Sequence, residues 1–300
     1  MAVYNGEAYL PAQLDSILAQ RDGRWHLTAS DDGSTDGSPA ILADYARRYP
    51  DRIALRTNRR RFGGARDHFF DLMARCDADY MLFSDQDDVW YPDKLGRTLD
   101  ALLDMEAACG ADTPLLVFSD QTPTDAGLRP LADSLMRYQK QYFGRFDYRS
   151  ILMQNVVTGG AMGVNRALAR LALPRGDAGD IVMHDWWLAA TAARFGRIAY
   201  IDTPLGAYRQ HDGNAVGAKD VGSAGYVAAR LGAPRQVRAS ILRKKTQARA
   251  FEDAYRDRLT REDIEFLEAF ARPRSGPGFV LKHWRLIHGT ARKLGMLALC

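Results

Sequence analysis

The chain has 300 residues, 46% hydrophobic and 26% charged, with a formal net charge of +4; this composition suits one large globular core, or a main domain with an appendage, and excludes a disordered polypeptide. No apolar run approaches the roughly 18 residues that a membrane span needs, and the N-terminus lacks the charged-then-apolar layout of a signal peptide, so the default expectation is a cytoplasmic protein. Cys76, Cys109 and Cys300 are odd in number and widely separated, which excludes a disulfide framework and a cysteine zinc cage and leaves any metal to oxygen or imidazole ligands.

Short apolar runs alternate with helical patterns through the first half, the signature of βαβ units in an α/β fold with a mostly parallel sheet flanked by helices. Met1–Tyr4 reads as the first strand, followed by a helix over Glu7–Gln20 with Leu10, Leu14, Ile17 and Leu18 on one face. His26–Ser30 is the second strand; Ser38 then supplies an N-cap and Pro39 a first-turn proline for a helix running to Tyr49. Ile53–Thr57 and Tyr80–Ser84 follow, Pro92 opens a helix through Leu95, Leu99, Leu102 and Leu103, and Leu115–Ser119 is the fifth strand. All five runs are apolar on both faces, as buried parallel strands are. A further helix is expected over Asp185–Phe195.

After about residue 230 the pattern changes to helices without strands, dividing the chain into a body over 1–229 and a basic helical region over 230–300. Pro234 starts a helix carrying Val237, Ile241, Ala248, Phe251 and Tyr255 on one face, and Thr260 with Asp263 forms a capping box for the next, which ends near Arg272. The linker Pro273–Gly278 separates a last segment, Phe279–Cys300, that mixes aromatic, aliphatic and basic residues. From Arg230 onward there are 16 Lys/Arg against 7 Asp/Glu, a balance of +9 that leaves the first 229 residues at −5. Such a basic segment attracts phosphate-bearing partners, and the sign alone does not choose among nucleic acid, anionic lipid and a phosphorylated carrier.

In an open α/β sheet, ligands bind outside the carboxyl ends of the strands, so the polar residues that end each apolar run converge on one crevice. Those residues are Tyr4-Asn5-Gly6, Asp31-Asp32-Gly33-Ser34 and Asp85-Gln86-Asp87-Asp88. Two acidic clusters at one rim repel unless something cationic or hydrogen-bonding lies between them, and a divalent metal with a nucleotide satisfies both. Three carboxylates in one turn suit Mg²⁺ or Mn²⁺, which take one or two carboxylates and complete their shell with phosphate oxygens and water. The plainer alternatives are an acidic turn before the helix at Pro92 and a loop of self-bonded Asx side chains at Asp31.

Together with Ala2-Val3-Tyr4-Asn5-Gly6, Asp31-Asp32-Gly33-Ser34-Thr35-Asp36 and Asp85-Gln86-Asp87-Asp88, the run His184-Asp185-Trp186-Trp187 resembles family 2 glycosyltransferases of the GT-A (Rossmann-like) fold. Within that family the chain is similar to bacterial rhamnosyltransferase-like enzymes that build cell-surface polysaccharide. The resemblance spans roughly Met1 to Gly217 and implies that Tyr4 stacks on the donor base, that Asp31 hydrogen-bonds base or ribose with Asn5 and Asp32 beside it, and that Asp85 contacts ribose. It implies a Mg²⁺ or Mn²⁺ ion on Asp87 and Asp88, bridging the sugar-nucleotide diphosphate, and Asp185 as the base that takes the acceptor proton in an inverting displacement. Alone, Asp185 would also suit the first turn of a helix, where the dipole favours an acid.

Gly159 and Gly160, in Thr158-Gly159-Gly160-Ala161, resemble the family's small-residue segment where donor and acceptor approach the backbone; a strand bulge is the plainer alternative. His211 lies where some relatives place a histidine on the metal or diphosphate, or is simply solvated. Trp186 and Trp187 offer a sugar-stacking surface for the acceptor, or core packing. Arg59-Arg60-Arg61 are set to touch diphosphate or to face solvent. The chain departs from the family pattern by beginning at Met1 inside the first central strand, which would cost ladder hydrogen bonds, and by carrying Asp67 where relatives commonly have a neutral amide.

The expectation is an inverting, metal-dependent transferase that moves a sugar such as rhamnose from a nucleoside-diphosphate donor to a growing glycan on a lipid carrier, with the basic tail touching the inner face of the membrane and no nucleic-acid partner. The alternatives are a sugar-nucleotide nucleotidyltransferase, whose usual N-terminal glycine-rich basic loop Asn5-Gly6-Glu7 does not match, and a non-catalytic basic-tailed binding protein.

Overall fold

The computed structural model describes residues 1–58, 60–141, 146–176, 178–211, 234–272, 276–287, 293 and 296–297. Arg59, Gly217, the domain boundary at 229 and 230, the first residues of the linker Pro273–Gly278 and much of the final segment to Cys300 lie outside them.

Three strands form a parallel sheet in chain order: β1 (Ala2–Val3), β2 (Leu27–Asp31) and β3 (Ile53–Arg56). Helices α1 (Leu10–Leu18) and α2 (Ser38–Arg48) make the crossovers. Helix α1 starts later than its apolar pattern suggests because the Gly6 carbonyl accepts the Tyr9 and Leu10 amides in a turn, and Pro11 then fits the first helical turn. Ser38 does not cap α2. Gly37 occupies the cap position, and the Ser38 hydroxyl instead accepts the Gly6 amide at 2.8 Å, tying the first loop to the second.

The second sheet has the order β4 (Tyr80–Leu82), β7 (Met162–Asn165), β6 (Leu115–Thr124), β8 (Arg197–Arg209) and β5 (Val89–Trp90). Its longest ladder, β6 with β8, is parallel, whereas β4–β7, β6–β7 and β5–β8 are antiparallel. Strand β6 continues past Ser119 because its register shifts at Asp120, whose carboxylate turns aside to accept the Met136 amide and the Ser134 hydroxyl. Helices α3 (Ala65–Ala74) and α4 (Lys94–Cys109) flank the strands; α5 (Leu135–Tyr138), α6 (Tyr148–Met153) and α7 (Arg166–Ala172) follow, and α8 (His184–Phe195) crosses the face of the second sheet.

The C-terminal region supplies α9 (Pro234–Tyr255), α10 (Arg261–Ala271) and α11 (Gly276–Lys282). Phe251, Phe266, Phe270 and Val280 are buried in the same apolar cluster as Trp187, Leu188 and Leu152 of the body. Thr260 and Asp263 form the expected capping box on α10. Asp263 also receives Arg194 at 2.6 Å and the Tyr148 hydroxyl, so the cap of one helix is the ion pair that docks it on α8 and α6. Burial alone would raise this carboxyl, but the donors from Tyr148, Thr260 and Arg194 together hold it well below the usual carboxylate range. The tail's apolar residues thus extend the core, and of its charged residues Lys245, Glu252 and Asp263 are buried with them. Among the described residues no helix is long and apolar enough to cross a membrane.

Candidate functional site

The carboxyl ends of β1, β2 and β4 open on one side of the molecule, where a cavity of about 650 Å³ lies between the first loop, the start of α3, the turn after β4 and the head of α8. Tyr4, Asp32, Asp85, Asp87, Gly159, Asp185 and Trp186 line it, together with Ser240 and Lys244 from α9.

On the β1 side, Tyr4 is 43% exposed and carries the Arg61 guanidinium 4.7 Å from its ring centroid, leaving an aromatic face open to a ligand. Gln86 reaches across from the turn after β4. Its oxygen accepts the Tyr4 amide at 2.6 Å and its amide donates to the Tyr4 carbonyl at 2.8 Å, so one side chain makes the two hydrogen bonds a neighbouring strand would make. A side chain at Gly6 would strike Gln86, with a Cβ only 2.7 Å from its carboxamide carbon. Asn5, in the left-handed region at φ 48°, donates its backbone amide to the Ser34 hydroxyl and accepts the Thr35 amide, so it fastens two loops and stands outside the cavity.

The second acidic pair is largely engaged by its own surroundings. Asp31 Oδ2 accepts the Gly33 and Ser34 amides, the Asx-type turn that Gly33 permits at φ 80°, and Asp31 lies in a neighbouring groove of about 490 Å³ rather than in the main cavity. Asp32, 4% exposed, accepts the Phe62 amide at 2.6 Å and the Gly63 amide at 2.8 Å, which pins the arginine loop at the cavity edge. Asp67 is paired with Arg66 at 2.7 Å.

The turn after β4 is organised by a residue that the sequence reading passed over. Lys94, 1% exposed in the first turn of α4, donates to the Gly160 carbonyl and sits 4.5 Å from the Trp90 ring centroid. Burial lowers its ammonium to about 8, while Asp88 and Asp85 pull it back up. Asp85 is pushed up to about 7 by burial and by Asp87, and Asp88 is raised well above the usual range, by burial first and then by Asp85 and Asp87. A Cβ on Gly160 would lie 2.8 Å from Asp88 Oδ2 and 3.0 Å from Asp85 Oδ2, so only glycine lets this segment close over the carboxylates. Gly160 therefore shapes the acidic turn and does not face the cavity.

The expected ligand trio of Asp87, Asp88 and His211 does not converge. Asp88 is 1% exposed, with its oxygens directed at the Arg209 amide at 3.2 Å and the Gln121 amide at 3.4 Å. Arg209, at the end of β8, donates Nε to the Asp87 carbonyl at 2.8 Å and stacks 4.6 Å from the Tyr9 ring. Asp87 Oδ2 faces outward and meets His211 Nε2 at 2.8 Å, with the His211 ring against Tyr9. Among the described residues no three His, Cys, Asp or Glu side chains form a ready metal cage. One carboxylate with one imidazole, beside a second carboxylate whose burial and neighbours disfavour its charge, is nonetheless a donor set that suits a hard divalent cation sharing its shell with substrate phosphates.

At the opposite wall, Asp185 stands in the first turn of α8. Burial pushes its carboxyl up to about 7, against the Trp186 amide that donates to it at 2.5 Å. Gly159 and Gly160, in a 3₁₀ turn, separate the two halves of the site: a Cβ on Gly159 would touch His184 and Asp185, whereas one on Gly160 would strike Asp85 and Asp88. Trp186 lines the cavity, its Nε1 bonded to the Ile151 carbonyl. Trp187 points the other way. It is 2% exposed, donates to the Ala172 carbonyl and packs on Phe251 and Tyr255, so it is core and not an acceptor platform.

Lys94, Ser240 and Lys244 are absent from the sequence motifs, and Gln86, His184 and Arg209 were given no role of their own there. A signal existed for Lys94, which falls in helical register with the buried Thr98 and Leu102. None existed for Ser240 and Lys244, which reach the cavity only through the packing of α9.

Residues 1–171 match the family described as glycosyl transferase family 2. The chain is 33% identical over 227 residues to the dTDP-rhamnosyl transferase RfbG of Shigella flexneri, covering 73% of this chain and 74% of that protein. It superposes on S. aureus TarS 1–349 in complex with UDP-GlcNAc with a TM-score of 0.56 at 13% identity, covering 99% of this chain and 88% of that one. The mannosyltransferase PcManGT of Pyrobaculum calidifontis, in complex with GDP-Man and Mn²⁺, gives a TM-score of 0.53 at 19% identity, covering 99% and 72%.

Lys94→Met tests the buried charge. Without the ammonium, Asp85 and Asp88 become still harder to ionise when folded, so each is a group whose folded pKa lies above its unfolded value near 4; the stability linked to it is intact below that value and lost as pH rises toward the folded value, already about 7 for Asp85 in the wild type. Denaturant unfolding should show a deficit of about 3–5 kcal/mol against wild type above pH 7 that shrinks toward pH 4–5. A deficit independent of pH would contradict this role.

Proposed function

The chain belongs to glycosyl transferase family 2, and we propose that it is an inverting transferase that moves a sugar from a nucleoside-diphosphate donor to a hydroxyl of a growing glycan. Its fold is the GT-A arrangement of the solved structures described above. The observation that carries the reading is that Gly159-Gly160 stands between an acidic turn with a buried counter-ion on one side and a single carboxyl, lifted to about 7, on the other. An inverting displacement needs one base on the face opposite the leaving group, with a pKa near the working pH.

In this reading Tyr4 stacks on the donor base, with Arg61 over its other surface and within reach of the diphosphate. Asp32 fixes the loop that carries Arg61, and Asp85, on the cavity wall, meets the ribose. Asp87 and His211 would hold a Mg²⁺ or Mn²⁺ ion, which when bound supplies charge neutralisation for the leaving diphosphate. Asp185 takes the proton of the acceptor hydroxyl, and Trp186 offers a face for the acceptor ring. Similarity to a dTDP-rhamnosyl transferase over most of both chains supports rhamnose from its thymidine diphosphate as the donor. Exposed Leu281, Lys282 and Arg285 on and just after α11 support contact with an anionic surface carrying a lipid-linked acceptor.

A donor panel scored by nucleoside diphosphate release with Mn²⁺ present should give turnover, highest with dTDP-rhamnose. Asp185→Asn should lower kcat by about 10²–10⁴ with donor affinity unchanged, and Asp87→Asn should remove the cation dependence along with turnover. Lost donor affinity with intact kcat in Asp185→Asn would assign that residue to binding instead. Membrane contact is read by co-sedimentation with anionic vesicles: binding should fall as salt rises, and a protein that stays in the supernatant at low salt contradicts it.

A further inference from the structure

Two side chains that line the cavity have polar atoms with no hydrogen-bond partner among the described residues. His184 is 3% exposed with both ring nitrogens unpaired, and Gln154, 7% exposed at the end of α6, has both its oxygen and its nitrogen unpaired. Both line the cavity. Native folds leave few buried polar groups unsatisfied, because each forfeits hydration with nothing in return, so two on one wall need an explanation.

Their surroundings favour a particular ligand chemistry. His184 is clamped between Phe69, at 4.3 Å between ring centroids, and Phe83, at 5.5 Å. Burial pushes its imidazole down to about 3, so it is neutral and presents one donor and one acceptor. The Gln154 carboxamide likewise presents both. Gly159 lets the backbone pass close to this ring, since a Cβ there would stand 3.0 Å from His184 Nε2. Uncharged donor and acceptor pairs match hydroxyl groups, each of which both donates and accepts. They do not match a phosphate, which calls for cationic groups.

We propose that His184 and Gln154 form a hydroxyl-reading subsite for a sugar ring held against Asp185. The proposal rests on the glycosyl-transfer reading above and adds to it the residues that choose the sugar. The ring belongs either to the donor or to the acceptor, and the two are separated by experiment.

His184→Leu and Gln154→Met keep size while removing the polar atoms. Melting temperature and nucleoside diphosphate release are measured for wild type and both variants with dTDP-rhamnose, UDP-GlcNAc and GDP-Man, with and without free rhamnose or N-acetylglucosamine as acceptor. Both variants should keep or raise the melting temperature, since buried unpaired groups are gone, while kcat/KM falls about 10- to 100-fold. A loss that appears in donor KM and in acceptor-free hydrolysis assigns the subsite to the donor sugar; unchanged hydrolysis with raised acceptor KM assigns it to the acceptor. Folded variants with kcat/KM within about twofold of an active wild type overturn this proposal alone. Melting temperature and activity lost together in both variants mark the pair as structural and overturn it too, and a wild type that releases no diphosphate from any donor overturns the transferase reading and this one with it.

Discussion

Three carboxylates within four residues, two of them drawn out of water, do not stay in one turn unless a cation is buried with them. Lys94 is that cation, and much of the site follows from placing it. It must enter from the first turn of α4, so α4 begins directly after the short strand β5, and its ammonium must meet the Gly160 carbonyl, so the chain before β7 has to pass close over Asp85 and Asp88. That approach requires glycine at 160. Asp88 then serves inside the fold, holding the last residues of β8 through the Arg209 amide, and Asp87 is left facing outward beside His211. With Asp85 and Asp88 drawn toward their neutral forms by burial, Asp87 is the carboxylate of this turn that stands beside an imidazole at the cavity.

The same short turn serves the other half of the site. Gly159 lies against His184 and Asp185, so a two-glycine step sets the spacing between the acidic turn and Asp185. Helix α8 is held in turn by groups remote from the cavity: Trp187 packs on Phe251 and Tyr255, and Arg194 meets Asp263. The basic tail therefore helps fix the helix that carries Asp185, and through Ser240 and Lys244 it supplies part of the cavity wall.

The parallel strands and the turns at their ends were legible because apolar runs and local turn chemistry are properties of neighbouring residues. The Thr260 capping box was legible for the same reason. Helix α3, whose apolar residues Phe69, Phe70 and Met73 are interleaved with Arg66, Asp67 and His68, gave a weak periodic pattern, and β7 is only four residues with a glycine in it. The direction in which an acid points was not legible at all. Asp31 and Asp87 each follow a strand in an acidic run, yet one closes its own loop and the other faces the site, a difference set by the Gly33 turn in one case and by Arg209 and His211 in the other. Trp186 and Trp187 make the same point, since adjacent positions at the start of a helix face different ways and only the packing of α9 decides which is core.

The central claim is that the acidic turn, with Lys94 beneath it, is built to share a divalent cation with a diphosphate. Electron paramagnetic resonance of free Mn²⁺, titrated into the full chain with and without dTDP, measures this directly. Mn²⁺ should bind weakly alone and at least about tenfold more tightly with dTDP present, because the protein donates few ligands and the phosphates complete the shell. An Mn²⁺ affinity that dTDP leaves unchanged would contradict the account.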